Sequence, residues 1–148
     1  MMTEEQVTKA ILQWLIDNGW EIICYDFPQS GTGVFLHPNG STEKNKDTIN
    51  PDIVAVRDNK CLFFENKSFF YYPDFEKVQY LRMTNDYSEA INNLLSDHHI
   101  SLIRYGIGYP TTVHKAKAKE SLHMVDFVVG VCEDRSIDIL YSKDDGKL

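Results

Sequence analysis

A chain of 148 residues, 43% of them hydrophobic and 12% aromatic, can close one core without staples, and nothing divides residues 1–148 into two domains. Its formal charge of −7 argues against a tight, sequence-blind coat protein for nucleic acid, because such binding rests on Lys and Arg neutralising phosphates. Cys24, Cys61 and Cys132 offer neither a disulfide framework nor zinc spacing and read as reduced core residues; with no signal peptide and no long apolar run, they point to a cytoplasmic protein without a membrane span.

Residues 3–18 predict the first helix. Thr3 and Gln6 match a capping box, Glu4 and Glu5 suit the positive end, and Asn18-Gly19 stops it. Val7, Ile11, Trp14 and Leu15 form the apolar stripe. At helical spacing Glu4 projects within about 20° of Ile11 and Leu15, so it is the first-turn acid that faces the core, while Glu5 swings away. Residues 20–27 predict a strand and residues 28–33 a loop. Gly31 and Gly33 precede neither a Lys-Ser/Thr pair nor a helix, so this is no phosphate-binding loop. A short strand is expected over 34–37. Residues 38–50 are polar and turn-rich, a loop delivered just before Asp52; Lys44 and Lys46 within it are candidate substrate contacts, although solvated loop charge is the plainer account of them.

The segment from Asn50 to Lys67 predicts a hairpin, two apolar, β-prone runs around Asp58-Asn59-Lys60. With a loop of Asp58-Asn59, Asp52 falls opposite Glu65. With a turn one residue longer, it falls opposite Asn66 and diagonal to Glu65 and Lys67. In either register cross-strand neighbours lie about 5–8 Å apart. Side chains alternate along a strand, so Glu65 and Lys67 share a face and Asn66 points away. Two carboxylates and an ammonium thus converge at the open end of a hydrophobic hairpin. A solvated ion pair and an ordinary Pro-Asp strand start would account for each half separately. Together they outline a site for a hard cation, which takes oxygen ligands, keeps several waters, and so needs only two carboxylates and a backbone carbonyl.

Beyond the motif, Phe69-Phe70-Tyr71-Tyr72 is an aromatic run suited to a core, a dimer interface or base stacking. A helical region over 73–96 is expected to break at Thr84-Asn85. Residues 100–107 predict a strand, 111–122 a helix, and 124–132 with 137–141 a final hairpin. Between His98 and Met124, Arg104, Lys115, Lys117 and Lys119 stand against Glu120 alone, a local basic face that could hold a phosphate backbone despite the acidic total. His98, His99 and His114 lack ligand spacing and read as surface or hydrogen-bonded groups.

Pro51-Asp52 followed, after the apolar hairpin, by Glu65-Asn66-Lys67 resembles the signature of the PD-(D/E)XK nuclease superfamily, in a chain whose order is helix, strand, motif hairpin, helix, strand. The likeness covers roughly residues 3–108 in topology. It implies an α/β fold with a central mixed β-sheet flanked by helices, restriction-endonuclease-like. It further implies that Asp52 and Glu65 hold Mg²⁺, with Mn²⁺ as substitute, that the Asn66 carbonyl ligates, and that Lys67 assists the attacking water. Many members carry an extra acid on the first helix, for which Glu4 is the candidate, though complementing the helix dipole explains Glu4 more simply. Lys77 and Gln79 lie just past the motif, where some members use a Gln or Lys. The implied activity is DNA phosphodiester hydrolysis, with RNA left open as substrate, Lys115, Lys117 and Lys119 as backbone contacts, and a homodimer for cutting both strands. The alternative is a catalytically silent nuclease-like module that binds a protein or nucleic acid.

Overall fold

The computed structural model describes residues 1–27, 33–40 and 47–148; the candidate contacts Lys44 and Lys46 lie outside the described residues. Helix α1 (Glu4–Asp17) starts at the expected box. The Thr3 amide donates to Gln6 Oε1 at 2.9 Å and the Gln6 amide to Thr3 Oγ1 at 3.1 Å, satisfying two orphan donors at once. It ends at Gly19, whose φ of 81° is the left-handed geometry that lacks a Cβ penalty only in glycine.

The chain continues through β1 (Glu21–Tyr25), β2 (Ile53–Arg57), β3 (Lys60–Asn66), α2 (Tyr72–Met83), α3 (Ser88–Leu94), β4 (Leu102–Pro110), α4 (Ala116–Glu120), β5 (Phe127–Val131) and β6 (Ile137–Ser142). Strands β1 to β6 form one sheet in sequence order. Pairing is antiparallel from β1 to β3, parallel across β3–β4–β5, and antiparallel between β5 and β6. The parallel steps need crossovers, which α2 with α3 and then α4 supply. The molecule is therefore α/β, a mixed six-stranded sheet flanked by helices.

Both faces of the sheet are covered. On one, Val7, Ile11 and Leu15 of α1 pack on Ile53, Leu62, Phe64 and Phe127. On the other, Leu81 of α2 and Ile91 of α3 cover Val54, Val56, Cys61 and Phe63. This is why β2 and β3 read as nearly continuous apolar runs. Strand β4 carries two glycines toward α1. Gly106 lies between Phe64 of β3 and Phe127 of β5, whose rings meet edge to face at 4.9 Å, and a Cβ there would stand 2.4 Å from the Phe127 ring. At Gly108 a Cβ would come within 2.4 Å of both Asn66 Oδ1 and Ile11 Cδ1, so the missing side chain lets the helix settle onto the sheet beside Asn66.

Several expectations change. The segment 34–37 is not a strand; only Leu36 bridges Ile49, and both are buried as a plug under α3. The helix expected over 111–122 is broken into a 3-10 turn (Thr111–Val113), α4 and a second 3-10 turn (Leu122–Met124). Consecutive β-branched residues at 111–113 disfavour helix, and His114 Nδ1, 2.7 Å from the Tyr109 hydroxyl, ties the turn back to β4. The break expected at Thr84-Asn85 separates α2 from α3. Cys24 and Cys61 are buried, and burial pushes the Cys24 thiol up to about 11, whereas Cys132 is only half-buried because it follows the end of β5.

Arg104 does not belong to a basic face. Its guanidinium pairs with Asp144 through two hydrogen bonds, Nε to Oδ2 at 2.8 Å and Nη2 to Oδ1 at 3.0 Å, and Lys60 adds a contact at 3.1 Å. These hydrogen bonds, outweighing partial burial, hold the Asp144 carboxyl down at about 2. A carboxyl depressed on folding stabilises the protein above the unfolded value near 4, and that contribution is lost as pH falls through about 2. With 26% of the side chain in water, screening limits it to about 1 kcal/mol. Urea midpoints taken from pH 5 to pH 2 should therefore fall less steeply in Asp144→Asn than in the wild type, the two curves converging at the acid end.

Candidate active site

The hairpin turn is the pair Asp58-Asn59, since Arg57 pairs with Lys60, and Asp58 takes a φ of 55° that Asp tolerates. Continuing the register one step beyond Ile53 and Phe64 sets Asp52 opposite Glu65. Alternation places both on the α2/α3 face, at the carboxyl end of β3, where ligands of open α/β sheets gather. Two main-chain bonds hold the pair. The Asp52 amide donates to the Phe64 carbonyl at 3.0 Å, and the Asn66 amide donates to Asp52 Oδ2 at 2.7 Å.

Asn66 points the other way, as alternation requires, fully buried beneath α1 with Nδ2 donating to Thr8 Oγ1 at 3.1 Å. Its Oδ1 has no hydrogen-bond partner among the described residues. Any part Asn66 plays at the acid pair is therefore through its backbone, and its side chain serves the α1 contact.

Lys67 lies just past β3, its amide bonded to the Gly108 carbonyl. Its ammonium stands 3.9 Å from Glu4, 4.0 Å from Asp74 and 5.3 Å from the centre of the Tyr71 ring. The sequence set Lys67 directly beside Glu65; the ion pair on Glu65 is instead made by Lys77 of α2, at 3.1 Å from Oε2. Glu4 enters the group from α1, as its angular position on the helix suggested. Asp74, in the first turn of α2, was not singled out by the sequence. It is buried, and its Oδ2 makes no hydrogen bond among the described residues. The available signal was its placement just after Pro73, three residues before Lys77, in a helix-opening turn that follows the motif directly.

These groups hold one another away from their ordinary ionisation. Burial first, and then the neighbouring Glu65 and Glu4 carboxylates, push the Asp52 carboxyl up to about 8, against the Asn66 amide and Lys77. Glu65 is raised by burial and by Asp74, with Lys77 and Lys67 opposing. Asp74 is raised by burial and by Glu4, against Lys67 and Lys77. Four acids share two ammonium groups, so the cluster is short of positive charge. Among the described residues no three His, Cys, Asp or Glu side chains form a ready-made metal cage. A divalent cation would therefore rest on Asp52 and Glu65, with the Asn66 carbonyl and waters completing its shell. That donor set suits Mg²⁺ or Mn²⁺, which keep water ligands. The raised carboxyls and the Asp74 oxygen that makes no hydrogen bond among the described residues fit such a cation.

Beside Lys77 a cleft of about 980 Å³ opens along α2, bounded by Tyr80 and Asp86, which are hydrogen-bonded to each other, and by Thr48 and Ile49. The described end of the polar loop therefore shares a cleft with Lys77, the ion-pair partner of Glu65. Lys115, Lys117 and Lys119 are exposed on and beside α4, and no hydrogen bond or ion pair among the described residues joins them to the four acids. Comparison of the chain with protein-family models, with curated proteins and with solved structures finds no match.

Proposed function

We propose that the chain is a metal-dependent endonuclease of the PD-(D/E)XK type, hydrolysing DNA phosphodiester bonds in restriction, repair or junction processing. The observation that carries this reading is the convergence of half-buried Asp52 and Glu65 on one sheet face, with Glu4, Asp74 and Lys67 around them. Bound by Asp52 and Glu65, Mg²⁺ or Mn²⁺ supplies Lewis-acid stabilisation of phosphoryl charge and acidifies water. Asp52 is fixed for its part by the Asn66 amide. Glu4 and Asp74 hold the Lys67 ammonium at the edge of the cluster, where it orients the attacking water and offsets charge on the phosphoryl group. Lys77 neutralises Glu65.

Among the described residues no helix is long and apolar enough to cross a membrane. A cytoplasmic location and a homodimer that places two sites on a duplex belong to the same proposal. One observation favours the second reading, a silent nuclease-like module: Lys77 already satisfies Glu65 at 3.1 Å, so half of the pair is neutral without a cation. Incubation of plasmid, oligonucleotide and RNA substrates with Mg²⁺, Mn²⁺ or EDTA separates the two. Metal-dependent cleavage, lowered about a hundredfold in folded Lys67→Ala, supports the enzyme. Absence of cleavage of every substrate under both metals leaves only the module.

A further inference from the structure

Resting on the reading of the acid cluster as a phosphodiester-cleaving site, we propose that its substrate is an unpaired strand of DNA whose bases stack on Phe69 and Tyr71. These rings are 49% and 44% exposed, and their centres lie 5.8 Å apart in an edge-on arrangement. Neither ring joins a core cluster. The intervening Phe70 turns inward onto Phe75 at 5.3 Å and joins the core, leaving its two neighbours in water. They are also tied to the chemistry, because one ammonium serves both groups: Lys67 stands 5.3 Å from the Tyr71 ring and 4.0 Å from Asp74. A base resting on Tyr71 therefore lies within a nucleotide's span of the acids.

The surface continues as a track. One hollow of about 460 Å³ is lined by Phe69, with Arg135 beside Glu133, another of about 410 Å³ by Phe70, Lys115 and Lys117 with no acid, and the two share Thr112 and Val113 as a wall. Cations set along grooves with aromatic walls are the pattern of single-strand binding, in which phosphates take the charge and base faces take the rings. A duplex buries those faces in its own stack and is held mainly through broad phosphate neutralisation, which a chain of net charge −7 supplies poorly. Lys115 and Lys117, expected near the site, thus find a role along the approach to it rather than at the acids.

Fluorescence anisotropy in EDTA tests this, with labelled oligothymidylate, an abasic strand of the same length and a blunt duplex as probes. Thymidylate should bind at least tenfold tighter than either of the other two. Phe69→Ala/Tyr71→Ala should weaken thymidylate about tenfold or more and leave the abasic strand unchanged, while Tyr71→Phe, which keeps a ring, binds as the wild type does. Both truncated rings are exposed, and an unchanged melting temperature verifies the fold. Equal binding of thymidylate and abasic strand, or of wild type and double variant, overturns the proposal, as does failure to bind thymidylate. Duplex cleavage with Mg²⁺ alongside that result removes the stacking inference and leaves the nuclease reading. Ring-dependent binding without cleavage under Mg²⁺ or Mn²⁺ does the reverse.

Discussion

Asp52→Asn is expected to lower metal-dependent cleavage at least about a thousandfold while making the metal-free protein more stable. The loss follows from removing one of two carboxylates on which a cation would rest, an interaction worth several kcal/mol in charge stabilisation. The gain follows from the same burial that shapes the site. An acid raised to about 8 on folding opposes the native state increasingly as pH rises from the unfolded value near 4. Asn keeps an oxygen to accept the Asn66 amide bond but carries no charge toward Glu65 and Glu4. At pH 7 the variant should therefore exceed the wild type by about 2 kcal/mol, a gap that closes toward pH 4. Urea denaturation at both pH values, beside a cleavage assay, measures the two effects on one protein. A variant both inactive and less stable at pH 7 would mean that Asp52 serves the fold rather than a site strained for function.

The largest effect on stability is expected at Gly106. Phe64 and Phe127 reach each other across this residue at 4.9 Å, and both are essentially buried between the sheet and α1. A methyl group placed 2.4 Å from the Phe127 ring has no space to enter, because the aromatic ring is held on all sides and cannot rotate away. Gly106→Ala should cost about 3 kcal/mol, lowering the melting temperature by roughly 10 °C. Phe127→Leu vacates part of that volume. The double variant should accordingly be more stable than the sum of the single changes requires, a coupling readable from a double-mutant cycle. Additive losses would show that Gly106 matters for a reason other than its contact with Phe127.

The chain spelled out its motif geometry more fully than its tertiary neighbours. Strand periodicity alone turned Asn66 away from the face of Glu65 but left Asp52 opposite either of them, and the structure selects the shorter of the two hairpin registers, which sets Asp52 opposite Glu65. The capping box, the Gly19 stop and the α/β order were local signals of the same kind. Which lysine meets Glu65 was not local. Lys77 reaches it because α2 docks its first turns against the carboxyl end of β3, and no spacing within α2 records where that helix lands. Asp74 stayed hidden for the same reason: an acid after a proline at a helix start is common, and only tertiary burial sets it apart. Arg104 looked free because its partner, Asp144, lies 40 residues along the chain, and residues 111–122 looked helical because alternating Ala and Lys outweighed the β-branched turn before them.

The central claim is that Asp52 and Glu65 form a divalent-cation site, and direct binding of Mn²⁺ followed by electron paramagnetic resonance tests it without reference to any substrate. Wild-type protein is expected to show saturable binding of at least one ion per chain, displaced by Mg²⁺ and lost in both Asp52→Asn and Glu65→Gln. Absence of saturable binding to the wild type, or equal binding by the two variants, would contradict it.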